Sequence, residues 1–279
     1  MAPRREHAGA NVRQLTLTDQ EFGNFQRFIY EAAGITLSSA KKALVCGRLA
    51  KRVHARQLDG YAAYFELLRS RRDTAEVQIA VDLLTTNETY FFREPKHFEL
   101  LRRLALAHPG GRPFRIWSAA CSSGEEPYSM AMVLSDCMQD RPFEVLGTDI
   151  STRMLARART GHYPDQRARL IPPPYLKRFC LRGQGEQEGT MLVDRIVRNK
   201  VRFAQANLNA ALPDVGLFDT IFLRNVMIYF NGHTKRQVVA RVLAQLRPGG
   251  YFCIGHSESL NDVTDAVEQL APSVFRKPA

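Results

Sequence analysis

The sequence lacks any long uninterrupted apolar run. None approaches the roughly 18 residues that a membrane-spanning helix needs, so we expect no direct membrane insertion. The polar N-terminus lacks the apolar stretch of a secretory leader, so export is not expected. The five cysteines include no pair at the two-residue separation of a zinc or redox motif. These absences predict free thiols in a reducing cytoplasm.

Acidic residues are scarce relative to basic ones. Lys and Arg total 39 against 28 Asp and Glu, which gives a formal net charge of +11. This balance excludes an acidic buffer protein and leaves nucleic acid, an anionic membrane surface or an acidic protein as partner. Hydrophobic residues make up 45% of the 279 residues, which is enough for the packed core of one large domain or two smaller ones.

The first third of the chain has the pattern of a small all-helical domain. Residues 1–15 are polar and predict a flexible lead, and the domain is expected over residues 16–85. Thr18 and Glu21 fit a capping box, and Gly34 suits the end of the helix that follows. Further helices are predicted from Ser38 or Ser39 to Gln57, over Tyr61–Arg69 and over Ala75–Leu84.

Residues 86–279 alternate between strand and helix patterns, which predicts βαβ units around a parallel sheet. Strands are expected at Phe114–Ala119, Phe143–Gly147, Phe218–Leu223 and Tyr251–Ile254, and helices at Glu125–Cys137, Met154–Thr160 and Lys235–Leu246. A glycine-rich stretch and two strand-like runs, Met191–Val197 and Val201–Ala204, predict a hairpin. We expect this hairpin to form an insert at about residues 175–205.

The turn after the first predicted strand suggests a nucleoside site. Ser118–Glu126 is rich in small side chains, which allow a ligand to approach the backbone. Only Gly124 remains of the three-glycine dinucleotide motif, so that motif is not met. Asp149 follows Gly124 by 25 residues, close to the roughly 20 expected for an acid that binds ribose. The alternative for the turn alone is an ordinary tight connection.

Five motifs make a family resemblance specific. In chain order they are TTNETYFFRE (85–94), WSAACSSGEEPYS (117–129), RNVMIYF (224–230), LRPGG (246–250) and GHSE (255–258). With these motifs the chain resembles the chemotaxis receptor methyltransferase (CheR) family over about residues 18–277. The resemblance implies an all-α N-terminal domain followed by a Rossmann-like class I α/β methyltransferase domain. A small antiparallel β-subdomain is inserted in the second domain.

The resemblance also implies an activity and a set of site residues. The family uses S-adenosylmethionine to methylate glutamates of chemoreceptor cytoplasmic domains, leaving S-adenosylhomocysteine, and no metal is expected. Cofactor contacts are implied for Asn87, Thr89, Arg93, Glu125 or Glu126, Asp149, Asn207, Leu208, Asn225 and Val226. The sequence does not distinguish Glu125 from Glu126. Arg93 and Tyr229 are the expected catalytic residues, acting by positioning.

The expected chemistry needs no general base. A glutamate side chain has a reference pKa of about 4.3, so the acceptor is already ionised at neutral pH. This agrees with the absence of a convincing His/Asp or Cys/His arrangement around the motifs. Catalysis is therefore expected to depend on in-line positioning and removal of water.

A basic stripe on the second predicted helix suggests a docking surface. Ala32–Leu58 contains no Asp or Glu, and Arg48, Arg52 and Arg56 recur at a spacing of four. An acidic receptor helix is the partner that the resemblance implies for this face. Charge alone would suit nucleic acid equally well, but no reading helix or stacking aromatics accompany the stripe. We therefore expect no nucleic-acid partner.

The glycine-rich loop before the predicted hairpin suggests a second contact with the receptor. Arg182, Gly183, Gly185 and Gly189 precede a strand whose free edge is suited to an extended peptide. In some family members this subdomain binds the receptor's C-terminal tail. Such members tend to carry an arginine where this sequence has Leu192. The alternative is an exposed hairpin without a ligand.

These observations predict a receptor-glutamate O-methyltransferase, monomeric and cytoplasmic, and recruited to membrane receptor arrays. Two rivals differ in class: a receptor-binding scaffold that has lost the chemistry, and a nucleic-acid-binding protein that uses the basic stripe. Asn87, Arg93, Asp149, Asn225 and Tyr229 are all present, which argues against the scaffold.

Overall fold

The computed structural model describes residues 15–279, so the lead predicted for residues 1–15 lies outside the described residues except for Leu15. In chain order the helices are α1 (Asp19–Ala33), α2 (Lys42–Ala55), α3 (Tyr61–Arg69), α4 (Thr74–Leu84), α5 (Lys96–Ala107), α6 (Glu125–Cys137), α7 (Thr152–Thr160), α8 (Asp165–Ala168), α9 (Pro173–Phe179), α10 (Arg195–Arg198) and α11 (Gly232–Ala244). The strands are β1 (Phe114–Ser118), β2 (Phe143–Asp149), β3 (His162–Pro164), β4 (Cys180–Arg182), β5 (Thr190–Val193), β6 (Val201–Gln205), β7 (Phe218–Leu223), β8 (Leu246–Ile254), β9 (Glu268–Ala271) and β10 (Val274–Arg276). None of the helices described is both long and apolar enough to span a bilayer.

Helices α1 to α4 pack around their own hydrophobic core. The predicted capping box begins α1: the Thr18 hydroxyl accepts from the Glu21 amide at 3.2 Å, and the Glu21 carboxylate accepts from the Thr18 amide at 2.8 Å. Gly34 ends α1 with φ of 73°, a conformation that glycine adopts without strain. Phe25 and Ile29 of α1 are fully buried in this core.

The second helix differs in detail from its prediction. Ser39–Lys41 forms a 3₁₀ turn, and α2 itself runs from Lys42 to Ala55, two residues short of the expected end at Gln57. Ser38 makes no side-chain capping bond, so the serine that suggested a cap does not act as one. Local patterns determine that a helix forms here, but its ends depend on neighbouring turns.

A buried ion pair joins α2 to α4. The Glu76 carboxylate is 2% exposed and accepts from Arg52 Nε at 2.8 Å and from the Tyr64 hydroxyl at 2.8 Å. The hydrogen bond with Arg52 is the main reason that the pKa of Glu76 is lowered. The bonds from Arg52 Nε and the Tyr64 hydroxyl share one carboxylate oxygen, and the other accepts from Arg52 Nη2 at 2.5 Å, so both oxygens have partners and the charge is tolerated in the interior.

The second domain is built on a seven-stranded sheet with the order β6-β2-β1-β7-β8-β10-β9. Strands β6, β2, β1, β7 and β8 are parallel, and β10 is antiparallel to both of its neighbours. Helix α6 packs against β1, β2 and β6, and α11 packs against β8. The predicted α/β class with a preceding all-α domain is confirmed.

The predicted insert hairpin is wrong in its pairing. Val201–Gln205 belongs to the main sheet, where it pairs in parallel with β2 as an edge strand. The antiparallel insert consists of β3, β5 and β4, so it extends from His162 to Val193 rather than over residues 175–205. Two nearby apolar runs resemble a hairpin in sequence, but helix α10 between them redirects the chain to the other sheet.

The helical domain contacts the sheet domain next to the carboxyl ends of the strands. Ile35 forms a β-bridge with Phe230, and the Thr36 amide donates to the Tyr229 carbonyl at 2.8 Å. The Asn207 side chain donates to the Ala32 carbonyl at 2.7 Å. The segment after α1 therefore covers the edge of the sheet at which a ligand is expected.

We predict that Glu76→Ala lowers the free energy of unfolding by about 2–3 kcal/mol, because it leaves Arg52 and Tyr64 without their shared buried acceptor. Since the folded pKa of Glu76 is lowered, its contribution is present above its ordinary range and is lost as the pH falls. Urea unfolding at several pH values measures both effects. The control is Asp19→Ala, which removes an exposed pair with Lys42. Equal midpoints for the two variants would contradict the prediction.

Candidate active site

A cleft opens at the carboxyl ends of β1, β2 and β7, beneath the segment that follows α1. The cleft together with its open mouth comprises about 850 Å³, which lies within the usual range for small-ligand sites. In the sheet, β1 lies between β2 and β7. The chain first adds strands on the β2 side and later adds β7 on the other side of β1, so the cleft lies at a topological switch point. The predicted residues that line it are Asn87, Thr89, Arg93, Glu126, Asp149, Asn207, Leu208, Asn225, Val226 and Tyr229.

Asp149, the last residue of β2, is the buried acid of the cleft and is 7% exposed. One carboxylate oxygen accepts from the Ser151 amide and the other from the Ser122 amide, both at 2.8 Å. Burial raises the pKa of Asp149 to about 6, although these two backbone bonds oppose the shift. A carboxylate offers about four lone-pair sites, so acceptor capacity remains for the paired hydroxyls of a ribose.

The turn between β1 and α6 brings backbone close to the cleft. Ala119, Ala120 and Ser122 line the cleft, and the Ser122 hydroxyl donates to the Asn87 carbonyl at 2.8 Å. Gly124 has φ of 97°, and a Cβ there would lie 2.8 Å from the Cβ of Ala158. Glycine is therefore required at this position for the turn and for close packing on α7.

The Arg224 guanidinium joins three segments of the site and is 1% exposed in its side chain. It contacts Glu126 at 2.8 Å and Glu94 at 2.9 Å, and it also donates to the Arg93 carbonyl. Ser118 donates to the second oxygen of Glu126 at 2.7 Å. Because the buried charges are paired and hydrogen-bonded, this network is stable in the interior and fixes the backbone at Arg93.

The backbone at Asn225 is held by an acid that is not among the predicted site residues. Glu258 accepts from the amides of Asn225, Met227 and Gly255 at 2.8, 2.8 and 2.7 Å. These bonds support the positive φ of 58° at Asn225, which is costly for a non-glycine residue. At Gly255 a Cβ would lie 2.4 Å from the Asn225 side-chain nitrogen, so glycine is needed there. The signal in sequence was the Gly-His-Ser-Glu motif itself.

Tyr229 and Arg93, the expected catalytic residues, are held in different ways. The main chain of Tyr229 is bound by Thr36 at the segment after α1, as described above. The Arg93 side chain donates to the Glu88 carbonyl at 3.3 Å and lies over the Tyr90 ring at 5.5 Å. Both side chains line the cleft and are partly exposed.

The two adjacent glutamates at the start of α6 point to different places. Glu126 lines the cleft, whereas Glu125 does not. Glu125 is 1% exposed, accepts from the Ser123 hydroxyl at 2.7 Å and pairs with Arg167 of α8 at 3.3 Å. Successive helical residues differ in direction by about 100°, which agrees with the different partners of the two carboxylates. Of the two alternatives that the sequence left open, the lining of the cleft favours Glu126 over Glu125.

The basic stripe of α2 is not a row of free cations. Its arginines contact α4: Arg48 donates to the carbonyls of Leu83 and Thr85, Arg52 pairs with Glu76, and Arg56 pairs with Asp73. The acids that balance the stripe come from another helix, so they were invisible in Ala32–Leu58 alone. The expectation of a free basic docking face, and with it the charge argument for nucleic acid, is corrected.

The residues expected to bind a receptor tail lie at the end of β4 and in the loop to β5. None of Arg182, Gly183, Gly185 and Gly189 lines the cleft. A Cβ at Gly183 would lie 1.9 Å from the Gln187 carbonyl oxygen, so the loop requires glycine there. In residues 15–279 no strand pairs with the outer edge of β4.

A second cluster of titratable groups lies behind the Arg224 network. Ligand atoms of Glu94, His97 and His256 lie within 4.8 Å of one another. The buried Nδ1 of His97 has no hydrogen-bond partner among residues 15–279, and burial lowers the pKa of this ring to about 4. Arg224 binds the same Glu94 oxygen that faces both rings, so a metal cation there would meet a fixed positive charge.

Sequence reasoning missed the contribution of the helical domain to the cleft. Ala33 and Ile35, together with Thr85 and Thr86, line it beside the predicted residues. Their signal was weak because small apolar residues near a helix end normally indicate packing. The cleft is therefore built from both domains.

The described side chains fit a nucleoside cofactor with a cationic methionine portion. Asp149 offers acceptors for ribose, Ile150, Leu208 and Val226 offer apolar walls, and Glu88 offers a carboxylate that is not committed to Arg224. A mainly parallel sheet with an acid at the end of its second strand, a ligand cleft at its switch point and the antiparallel β10 agrees with a class I methyltransferase.

The sequence comparisons define the family. Residues 87–275 match the family described as CheR methyltransferase, SAM binding domain, and residues 20–85 match CheR methyltransferase, all-alpha domain. The chain therefore belongs to the CheR methyltransferase family, and S-adenosylmethionine is its cofactor.

Curated relatives match over most of the chain. The chemotaxis protein methyltransferase of Escherichia coli (strain K12) is 40% identical and covers 90% of this chain and 88% of that protein. The Salmonella typhimurium protein of the same name is 39% identical, covering 95% and 92%. Chemotaxis protein methyltransferase 2 of Pseudomonas aeruginosa is 41% identical, covering 92% and 93%.

We predict that affinity for S-adenosylhomocysteine falls as the pH drops through about 6, because protonation of Asp149 removes an acceptor for the ribose hydroxyls. The loss should approach about tenfold per pH unit below that value. Calorimetry across pH measures it. Asp149→Asn is the matched control and should bind weakly with no titration in this range. Unchanged affinity in Asp149→Ala would overturn the assignment of this residue.

Proposed function

We propose that the chain transfers a methyl group from S-adenosylmethionine to glutamate side-chain carboxylates of chemoreceptor cytoplasmic domains, forming glutamyl methyl esters. The observation that carries this proposal is that Arg93 and Tyr229 line the same cleft as the ribose-type acid Asp149. The names of the relatives, chemotaxis protein methyltransferases, support a receptor as the acceptor.

A carboxylate acceptor suits the side chains of the cleft. Among its described lining residues none is a histidine, cysteine or lysine, and an acceptor with a pKa of about 4.3 needs no base at neutral pH. When bound, S-adenosylmethionine supplies a methyl group on a sulfonium cation. The protein therefore has to bring an already ionised oxygen into line and exclude water.

Charge disappears as the ester forms, and this limits what a cation can contribute. A guanidinium bound tightly to the acceptor would stabilise the ionised ground state more than the transition state. Arg224 is committed to Glu94 and Glu126, and Arg93 is partly engaged by the Glu88 carbonyl. We propose that Arg93 positions the cofactor and that the neutral Tyr229 hydroxyl orients the incoming carboxylate.

We propose that the enzyme acts in the cytoplasm and is recruited to membrane receptor arrays, because its proposed substrates are cytoplasmic domains of receptors. A net charge of +11 favours encounter with acidic receptor helices through long-range attraction. The arginines of α2 are paired with groups of α4 and stabilise this helix pair. We propose that they also contribute to the long-range positive potential, but that they are not free to bind the receptor directly.

We also propose that the outer edge of β4 binds the extended C-terminal tail of a receptor. A groove runs beside this edge; among its lining residues, Ile171, Pro173, Leu176 and Leu181 are apolar, and Arg169, Lys177 and Arg182 are basic. Strand addition on an open edge supplies main-chain hydrogen bonds, and the groove would select an apolar, acidic peptide. Such a tether raises the local concentration of enzyme near the methylated segments.

We predict that Tyr229→Phe lowers kcat for receptor methylation by about tenfold to a hundredfold and leaves S-adenosylhomocysteine affinity within about twofold. Arg93→Ala should lower both. Transfer of labelled methyl to receptor fragments, followed by release of methanol in alkali, measures ester formation. The control is Tyr30→Phe, a tyrosine on α1 outside the cleft.

One outcome would contradict this division of roles, and another would contradict the proposed activity. Equal losses of cofactor affinity in Arg93→Ala and Tyr229→Phe would remove the distinction between them. Binding of cofactor by the unaltered protein without any label in receptor would instead indicate a scaffold that has lost the chemistry.

We predict that peptides matching receptor C-termini of the same organism bind the unaltered protein and that Arg182→Glu weakens this binding. Fluorescence titration measures the affinity, and cofactor binding should be unchanged because Arg182 does not line the cleft. If no peptide binds, and removal of the tails leaves receptor methylation unchanged, the insert is not a tether in this protein.

A further inference from the structure

The loop between β2 and α7 has two functional faces. On one side Asp149 and Ile150 line the cofactor cleft. On the other side the loop lies against α4, a helix of the N-terminal domain. Any group on α4 that fixes this loop therefore also fixes the wall of the cleft.

Asp82 of α4 binds the start of α7. This buried carboxylate, 5% exposed, accepts from the Thr152 amide at 3.1 Å, the Thr152 hydroxyl at 2.9 Å and the Arg153 amide at 3.0 Å. It thus satisfies first-turn donors that have no partner within α7. The Arg153 guanidinium also donates to the main-chain carbonyl of Asp82 at 3.4 Å, and the dipole of α7 favours a negative charge at its N-terminus.

Gln78, one turn before Asp82, binds the loop itself. Its amide nitrogen donates to the Ile150 carbonyl at 3.1 Å and to an Asp82 oxygen at 2.8 Å. Gln205 at the end of β6 donates to the same carbonyl at 3.2 Å and to the Gln78 oxygen at 2.8 Å. The Ile150 peptide is therefore held from outside the cleft by side chains of two elements.

The same loop holds the acid of the cleft. The Ser151 amide donates to Asp149 at 2.8 Å, and the Ser151 hydroxyl accepts from the Met154 amide, the next donor of α7. A shift of α7 would move Ser151 and with it the Asp149 carboxylate. Hydrogen bonds thus connect Asp82, through Thr152 and its neighbours, to the position where ribose would bind.

We propose that Asp82 and Gln78 are positioning residues for cofactor binding, through which helix α4 of the N-terminal domain sets the affinity of the cleft. Neither residue lines the cleft, so each acts through the loop 149–152. This inference rests on the role proposed for Asp149. A displacement of α4 therefore changes cofactor affinity. The helical domain thus has a role at the cofactor site in addition to the receptor contact that the family resemblance implies.

The test compares Asp82→Ala with Asp73→Ala in the full chain. Asp73 caps the other end of α4 by accepting from the Glu76 amide at 2.9 Å and does not touch the loop. Both variants should lower Tm, because each loses a helix cap. Only Asp82→Ala should weaken S-adenosylhomocysteine binding, by about tenfold, which lies within the roughly twofold to thirtyfold range of coupling between a site and a residue that does not touch the ligand. Calorimetry at a temperature well below every Tm measures the affinity.

Two further variants keep the proposal falsifiable. Asp82→Asn retains one acceptor oxygen and should recover part of the lost affinity. Gln78→Ala, at a half-buried position, should remain folded even if Asp82→Ala does not, and should weaken binding several-fold. If Asp82→Ala and Gln78→Ala lower Tm yet bind S-adenosylhomocysteine as the unaltered protein does, the contacts are structural only and the proposal is overturned.

The outcome is distinguishable from failure of the proposed function. Binding of S-adenosylhomocysteine requires no receptor, so a wrong acceptor would leave these measurements unaffected. If Asp149→Ala also binds normally, the assignment of the cleft is at fault. If Asp149→Ala loses binding and the α4 variants do not, only the coupling through α4 is wrong.

Discussion

The buried guanidinium of Arg224 is the interaction on which the cleft depends. It joins Glu94 before α5, Glu126 in the first turn of α6 and the main chain at Arg93. Loss of Arg224 would leave the carboxylates of Glu94 and Glu126 without their shared cation in the interior, which costs several kcal/mol. The segments that contain Arg93 and Glu94, Glu126, and Arg224 therefore keep one arrangement relative to one another. The cleft residues on these segments have a fixed backbone.

The helical domain completes this arrangement from the other side. Thr36 fixes the main chain of Tyr229, and α4 contacts the loop that carries Asp149. The cleft is thus closed by two domains whose hydrogen bonds converge on the same short loops. The helical domain and the wall of the cofactor cleft therefore share hydrogen bonds.

The errors of the sequence analysis have a common physical origin. The sequence predicts a free stripe of Arg48, Arg52 and Arg56 because no acid is close in sequence, yet Glu76 and Asp73 approach from α4. It predicts that Val201–Ala204 pairs with the preceding run in a hairpin, yet this segment joins β2 in the main sheet. Charge balance and strand pairing are properties of groups that are close in space, and sequence proximity is a poor guide to them.

The sequence by itself determined the class of fold, the family and most of the residues that line the cleft. Periodicity specified helices such as Glu125–Cys137 and strands such as Phe218–Leu223, since local propensity and one buried face suffice for these. Only the tertiary structure decided that Glu126 faces the cleft and Glu125 faces Arg167, and that Glu258 and Asp82 support the loops around it. Those assignments depend on the direction of side chains and on hydrogen bonds between distant segments, which exist only once the chain has folded.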